Sequence, residues 1–207
     1  MTAFDALFVT PLYRSSLGTR LNPDLEAASL LIAAEDKAGR RWAREHGYKG
    51  YTSYAALDDL PLRAPAFADL AKVIDKHVAA FARHADFDLK MGRGGRRKLK
   101  LDSLWVNVMN KGASHAPHIH PHAVVSGTYY VTVPPGSGVL RFEDPRLGLM
   151  MAAPPRRKNA KPGNRSFVDV APKAGMLLLW ESWLRHDVQE STARAPRISV
   201  SFNYRLD

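Results

Sequence analysis

The spacing of apolar residues changes near residue 98. Before that point it is helical. Asn22-Pro23-Asp24 supplies a helix start, and Asp24 to about Glu45 is rich in Ala, Leu, Glu and Arg, with Trp42 near its end. A second helix is predicted over Pro65 to His84, where Phe67, Leu70, Val73, Ile74, Val78 and Phe81 recur at three- and four-residue intervals. Gly47 to Leu62 reads as a loop whose Tyr48, Tyr51 and Tyr54 pack against neighbouring structure. After residue 98 short segments dense in β-branched and aromatic residues alternate with Gly and Pro turns. Eight strands are predicted there, near Lys98–Asn110, Ser114–Pro121, Val125–Val133, Gly138–Glu143, Ser166–Ala171, Met176–Trp180, Leu184–Gln189 and Arg197–Tyr204. Antiparallel strands joined by short turns suggest a jelly roll, or double-stranded β-helix, and helices followed by strands make the class α+β. The expected organisation is a single domain over 1–207, with an N-terminal strand and helical cover in 1–97 and the β-helix core in 98–207.

The last strand carries the most information. Ile198, Val200, Phe202 and Tyr204 point one way, and Arg197, Ser199, Ser201 and Asn203 the other, because successive strand side chains alternate. The apolar face needs a cover, which the helices can supply. The polar face then lines a cavity inside the roll, unless this is an edge strand with a solvated side.

Composition narrows the chemistry. Lys and Arg number 30 against 20 Asp and Glu, a formal charge of +10 that favours anionic partners without choosing among them. Basic stretches at 93–100 and 154–165 read as exposed loops that either keep the protein in solution or attract an anionic substrate. Aromatic residues are sparse in them, so nucleic acid is not the favoured partner. The absence of Cys removes disulfides, thiolate metal sites and Cys nucleophiles, leaving His, Asp and Glu to hold any metal. The opening segment does not read as a signal peptide, and the longest apolar runs fall short of a membrane span, so a soluble cytoplasmic protein is expected.

Four of the eight His stand in His115-Ala-Pro-His118-Ile-His120-Pro-His122. His118 and His120 are two apart, so on a strand their imidazoles share a face and suit one metal. His122 has the same parity, but Pro121 intervenes. A third ligand must come from a distant strand, and His186 is the best candidate. Eleven positions later, Arg197 lies inward on the polar face with no acid on its own strand to pair with. Its fork matches a carboxylate. Three ligands on one face of an octahedron leave room for a two-oxygen chelator and dioxygen, with Arg197 gripping the chelator's far end.

These residues carry a family resemblance. Trp105-Val-Asn107, His118-Ile-His120-Pro, Ser126-Gly-Thr-Tyr-Tyr-Val131, Phe142-Glu-Asp-Pro-Arg146, Ser182-Trp-Leu-Arg-His186-Asp-Val188 and Arg197-Ile-Ser-Val-Ser-Phe-Asn203 resemble, in order and spacing, the iron(II)- and 2-oxoglutarate-dependent oxygenases, and more narrowly a bacterial and phage branch of that superfamily. The opening Leu7-Phe-Val-Thr-Pro-Leu-Tyr13 is similar to the start of that branch. The resemblance implies Fe(II) on His118, His120 and His186, with Arg197 holding the distal carboxylate of 2-oxoglutarate. Ser199 or Ser201 is a candidate to add a hydroxyl bond, Tyr130 a phenol, and Asn107 a contact from the first strand; the alternative for Tyr130 is core packing. The implied reaction uses O2 and hydroxylates an unidentified substrate, with release of succinate and CO2. No residue outside the metal site is assigned a catalytic role.

One departure matters. Most of the superfamily has a carboxylate where this chain has His120. Iron(II) with one carboxylate and the cosubstrate dianion sums to −1, whereas three neutral His ligands and the same dianion sum to zero. Asp144, Glu181 and Asp187 do not have His-X-Asp spacing, and Asp187 should face away from His186. Two other readings fit the residues: a cupin-like three-His metalloenzyme that does not use 2-oxoglutarate, and a non-catalytic basic binding protein on the same fold. An anionic prime substrate is one candidate class, its identity is not readable, and the strand edges of a roll leave room for a homodimer.

Overall fold

The computed structural model describes residues 2–90, 95 and 97–207. Its strands form two antiparallel sheets. In chain order the elements are β1 (Tyr13–Ser16), α1 (Asn22–Glu35), α2 (Lys37–Glu45), β2 (Gly50–Thr52), α3 (Leu60–Arg63), α4 (Pro65–His84), β3 (Leu99–Met109), β4 (His115–His118), β5 (Val125–Thr132), β6 (Leu140–Glu143), β7 (Phe167–Val170), β8 (Met176–Glu181), β9 (His186–Val188) and β10 (Arg197–Leu206). The larger sheet has the order β1-β8-β5-β10-β3-β2 and the smaller β4-β9-β6-β7. The strands after residue 98 therefore match the eight expected, and they interleave between the sheets as in a double-stranded β-helix.

The predicted long helix over Asp24–Glu45 is two helices. Asp36 leaves the helical conformation and turns its carboxylate onto the backbone N–H of Gly39 at 2.9 Å, capping α2. The same carboxylate accepts the Tyr51 hydroxyl at 2.8 Å. The expected loop at 47–62 contains strand β2, and its tyrosines divide: Tyr51 is core, whereas Tyr54 is 57% exposed with its ring edge-on to Trp105.

α4 follows its predicted face. Phe67, Leu70, Ile74, Val78 and Phe81 are buried, with Val73 half-buried beside them. With Leu25 and Ile32 of α1 they cover the outer face of the larger sheet, where Ile198, Val200, Phe202 and Tyr204 are 1% exposed or less. Each such side chain contributes roughly 1.5–3 kcal/mol on leaving water. Polar ties fix the registry of helices on sheet: Tyr204 donates to Asp75 at 2.6 Å, and Asn22 bridges the Tyr129 hydroxyl and the carbonyl of Val131. β10 is central, between β5 and β3, so its polar face cannot be a solvated edge.

Gly127 of β5 lies under the Phe202 ring of this packed face. A Cβ there would meet the Phe202 ring and stand 2.6 Å from the carbonyl oxygen of Leu178. Gly127→Ala is expected to destabilise the fold by about 1–3 kcal/mol through overpacking, read as a lowered thermal midpoint. An unchanged midpoint would show that β5 can shift.

Of the basic stretch at 93–100, residues 93, 94 and 96 lie outside the described residues. The stretch at 154–165 is the exposed loop expected, with only Ala160 and Arg165 half-buried. Among the described residues no helix is long and apolar enough to cross a membrane.

Candidate metal centre and anion pocket

Strand pairing sets the rows of side chains between the two sheets, because residues directly opposite one another share a face. On the smaller sheet His118, His186, Phe142 and Val168 form one row, and His115, Val188, Leu140 and Val170 the next. On the larger sheet Trp105, Ser201, Thr128 and Leu178 form a row, followed by Asn107, Ser199 and Tyr130, and then by Met109 and Arg197. Trp105, Asn107, Thr128, Tyr130, Trp180, Arg197, Ser199 and Ser201 meet His115, His118, His120 and His186 around one cavity.

Three of the histidines converge. One ring nitrogen from each of His118, His120 and His186 lies within 4.8 Å of the others. The ring centroids of His118 and His186 are 4.4 Å apart, as expected for residues directly across β4 and β9. His120 lies just beyond β4, held by its N–H to the carbonyl of Ser182 at 3.1 Å. At His122 the chain turns with φ 70°, and that residue is exposed and outside the converging group.

Backbone carbonyls orient two of the rings. Nδ1 of His118 lies 2.7 Å from the oxygen of Ala116, and Nδ1 of His186 lies 2.8 Å from that of Leu184. A proton on each Nδ1 leaves Nε2 with a free lone pair, the tautomer a metal needs. Burial, and then the neighbouring His118, push His120 down to about 4 and His186 down to about 3, so both are neutral at ordinary pH. Asp187 points away: it accepts from Arg141 at 3.0 Å on the outer side of the sheet.

Arg197 occupies the deep end and is 3% exposed. Nη1 donates to the carbonyl of Gly138 at 2.9 Å and Nη2 faces Met109 Sδ at 2.7 Å, while Nε is buried without an acceptor. Among the described residues no carboxylate pairs with it. The Tyr130 ring lies 5.6 Å from the guanidinium carbon, and burial raises the Tyr130 pKa, so it remains a phenol. An Arg buried with an empty donor direction and no counter-ion is incomplete. The donor geometry and the charge call for a small anion.

The residues expected around it are all present in the cavity, with one qualification of detail. Asn107 and Ser201 hold each other, Nδ2 to Oγ at 3.2 Å, and Ser201 also donates to Thr128, while Asn107 Oδ1 is buried without a partner. Sequence reasoning missed Trp180, Trp105, Thr128 and His115 as lining residues. Trp180 lies 4.8 Å from His186 with its indole N–H buried and unpaired. Thr128 was within reach, since it shares the parity of Tyr130 on β5.

Residues 103–203 match the family model described as "Putative 2OG-Fe(II) oxygenase". No curated protein is recognisably similar in sequence. Among solved structures, a Pseudomonas putida prolyl-4-hydroxylase superposes with TM-score 0.58 at 16% identity, covering 96% of this chain and 94% of that one. HygX from Streptomyces hygroscopicus, solved with nickel and 2-oxoglutarate, gives 0.61 at 15% identity, covering 94% and 82%. The α-ketoglutarate-dependent epimerase SnoN of nogalamycin biosynthesis gives 0.64 at 16% identity, covering 95% and 76%. These likenesses establish the shared double-stranded β-helix.

Proposed function

We propose that this chain, which belongs through residues 103–203 to the iron(II)- and 2-oxoglutarate-dependent oxygenases, holds Fe(II) on His118, His120 and His186 and the distal carboxylate of 2-oxoglutarate on Arg197. The observation that carries the assignment is Arg197, a buried guanidinium with an empty Nε and no carboxylate partner among the described residues, in the same cavity as three converging histidines.

The residues fit both groups. Three imidazoles on one side leave the remaining positions of an octahedron open. When bound, iron and 2-oxoglutarate supply dioxygen activation, with 2-oxoglutarate oxidised to succinate and CO2 and one oxygen atom delivered to a C–H bond. The chain contributes position and environment. The carbonyls of Ala116 and Leu184 keep the His118 and His186 rings in one tautomer. Arg197 sets the depth at which a dicarboxylate stops, its Nη2 exchanging the soft Met109 sulfur for a carboxylate oxygen. Tyr130 and Ser199 offer hydroxyl donors beside it, and Asn107 and Ser201 form an adjacent polar pair. Trp105, Trp180 and Phe142 place aromatic surface beside the histidines.

Anaerobic titration tests the reading. Fe(II) with 2-oxoglutarate is expected to give a visible charge-transfer absorbance that neither gives alone, and succinate should accumulate once oxygen is admitted. Iron retained without any absorbance or succinate on adding 2-oxoglutarate would overturn the assignment in favour of the three-His metalloenzyme without this cosubstrate.

A further inference from the structure

Beside the metal centre lies a second and larger cavity, about 400 Å³, within the range that holds small organic ligands. It opens where the β1 edge of the larger sheet faces the β6–β7 edge of the smaller one. Its inner wall is Phe142, Val168 and Leu184. Phe142 and Val168 continue the row of His118 and His186, and the Phe142 ring lies 6.0 Å from that of His186. The carbonyl of Leu184 is the one that orients His186. The cavity therefore lies behind His186, with Phe142 between the two, and no residue lines both.

Its outer wall is the segment before β1. Leu7, Phe8 and Val9 border the cavity yet are 71%, 90% and 70% exposed, and Phe8 is held at φ 56°. Adjacent apolar side chains left in water around a concave apolar surface gain burial when an apolar body enters.

Two cations face the same space. Arg14 is opposite Leu178, and that pairing continues through Thr128 and Ser201, so Arg14 extends the row that crosses the floor of the metal cavity. Arg165 enters from the loop before β7, its Nε bound to the carbonyl of Ala160 at 2.7 Å. Neither is in an ion pair among the described residues, whereas Arg146 on the same rim is neutralised by Asp144. Glu143, the other acid on the rim, is taken by Arg185.

We infer that this cavity binds a small molecule with an apolar body and one anionic end, the body lying on Phe142, Val168 and Leu184 and the anion held by Arg14 and Arg165. The site stands beside the centre described under Proposed function, and its binding does not need the metal.

Calorimetry on the purified metal-free protein tests it, with decanoate, decyl phosphate, decanol and decylamine as probes. Decanoate or decyl phosphate should bind at least tenfold more tightly than decanol, and decylamine should not bind. The better of the two anions identifies the headgroup as carboxylate or phosphate. Arg14→Ala and Arg165→Ala should each weaken the anion at least fivefold, while Arg41→Ala, an exposed change on α2, should leave it unaltered. Val168→Trp, which fills the cavity without touching a charge, should weaken anion and alcohol alike. Equal affinity for decanoate, decyl phosphate and decanol, or anion binding that survives both Arg changes, would overturn the inference. If Fe(II) and 2-oxoglutarate still give their absorbance in that case, only this ligand site has failed; if they do not, the reading under Proposed function has failed as well.

Discussion

Arg197→Met is expected to abolish 2-oxoglutarate binding while leaving the ligand-free protein at least as stable as the unaltered one. Two parallel charge-assisted hydrogen bonds, each worth about 1.5–3 kcal/mol, hold a carboxylate on a guanidinium, so their loss weakens binding roughly a hundredfold or more. Stability moves the other way because of where the charge sits. The guanidinium is 3% exposed, has an unfilled Nε, and lacks a counter-ion among the described residues. Replacing such a buried ion by an apolar chain of similar length is neutral or stabilising by about 1–4 kcal/mol, offset in part where the Gly138 carbonyl loses its donor. Two melting series give the check: 2-oxoglutarate with Fe(II) should raise the midpoint of the unaltered protein and not that of the variant, whereas without ligands the variant should melt at the same temperature or higher. A variant that melts much lower without ligands would make Arg197 a structural strut instead.

That residue also shows what could be read from the sequence and why. β10 alternates strictly, and alternation is a local property, so the apolar face toward the helices and the polar face toward the cavity follow from eight consecutive residues. The pairing of His118 with His120 is equally local. Bringing His186 to them is not, because β4 meets β9 only through the interleaving of the smaller sheet; order along the chain and the family resemblance supplied that step. β2 was missed because three residues on an edge carry no pattern of their own, and they pair through Gly50, where a Cβ would stand 2.6 Å from the carbonyl oxygen of Val108. The break at Asp36 was missed because Ala- and Arg-rich sequence on both sides favours helix, and a single capping side chain decides the outcome. The larger cavity could not be foreseen, since its walls join residues 6–14 to residues 142–146 and 162–168.

Changing the histidines one at a time should separate ligands from neighbours. His118→Ala and His186→Ala are each expected to lower Fe(II) affinity by more than about a hundredfold, beyond the roughly 10–100-fold of a lost outer partner, because either leaves two imidazoles where three converge. His122→Gly should retain the metal, since that residue is exposed and outside the converging group and φ 70° suits Gly. His120→Asp tests the departure from the commoner pattern and splits two affinities. A carboxylate at this position adds a negative charge to the centre, so iron should bind more tightly. With iron in place the centre then carries +1 instead of +2, so the Coulomb attraction for the 2-oxoglutarate dianion is smaller and its dissociation constant should rise. Metal content after desalting reads the first effect, and the charge-transfer titration reads the second. Iron loss in His120→Asp would remove His120 from the ligand set; tighter 2-oxoglutarate binding would show that the third imidazole does not act through charge.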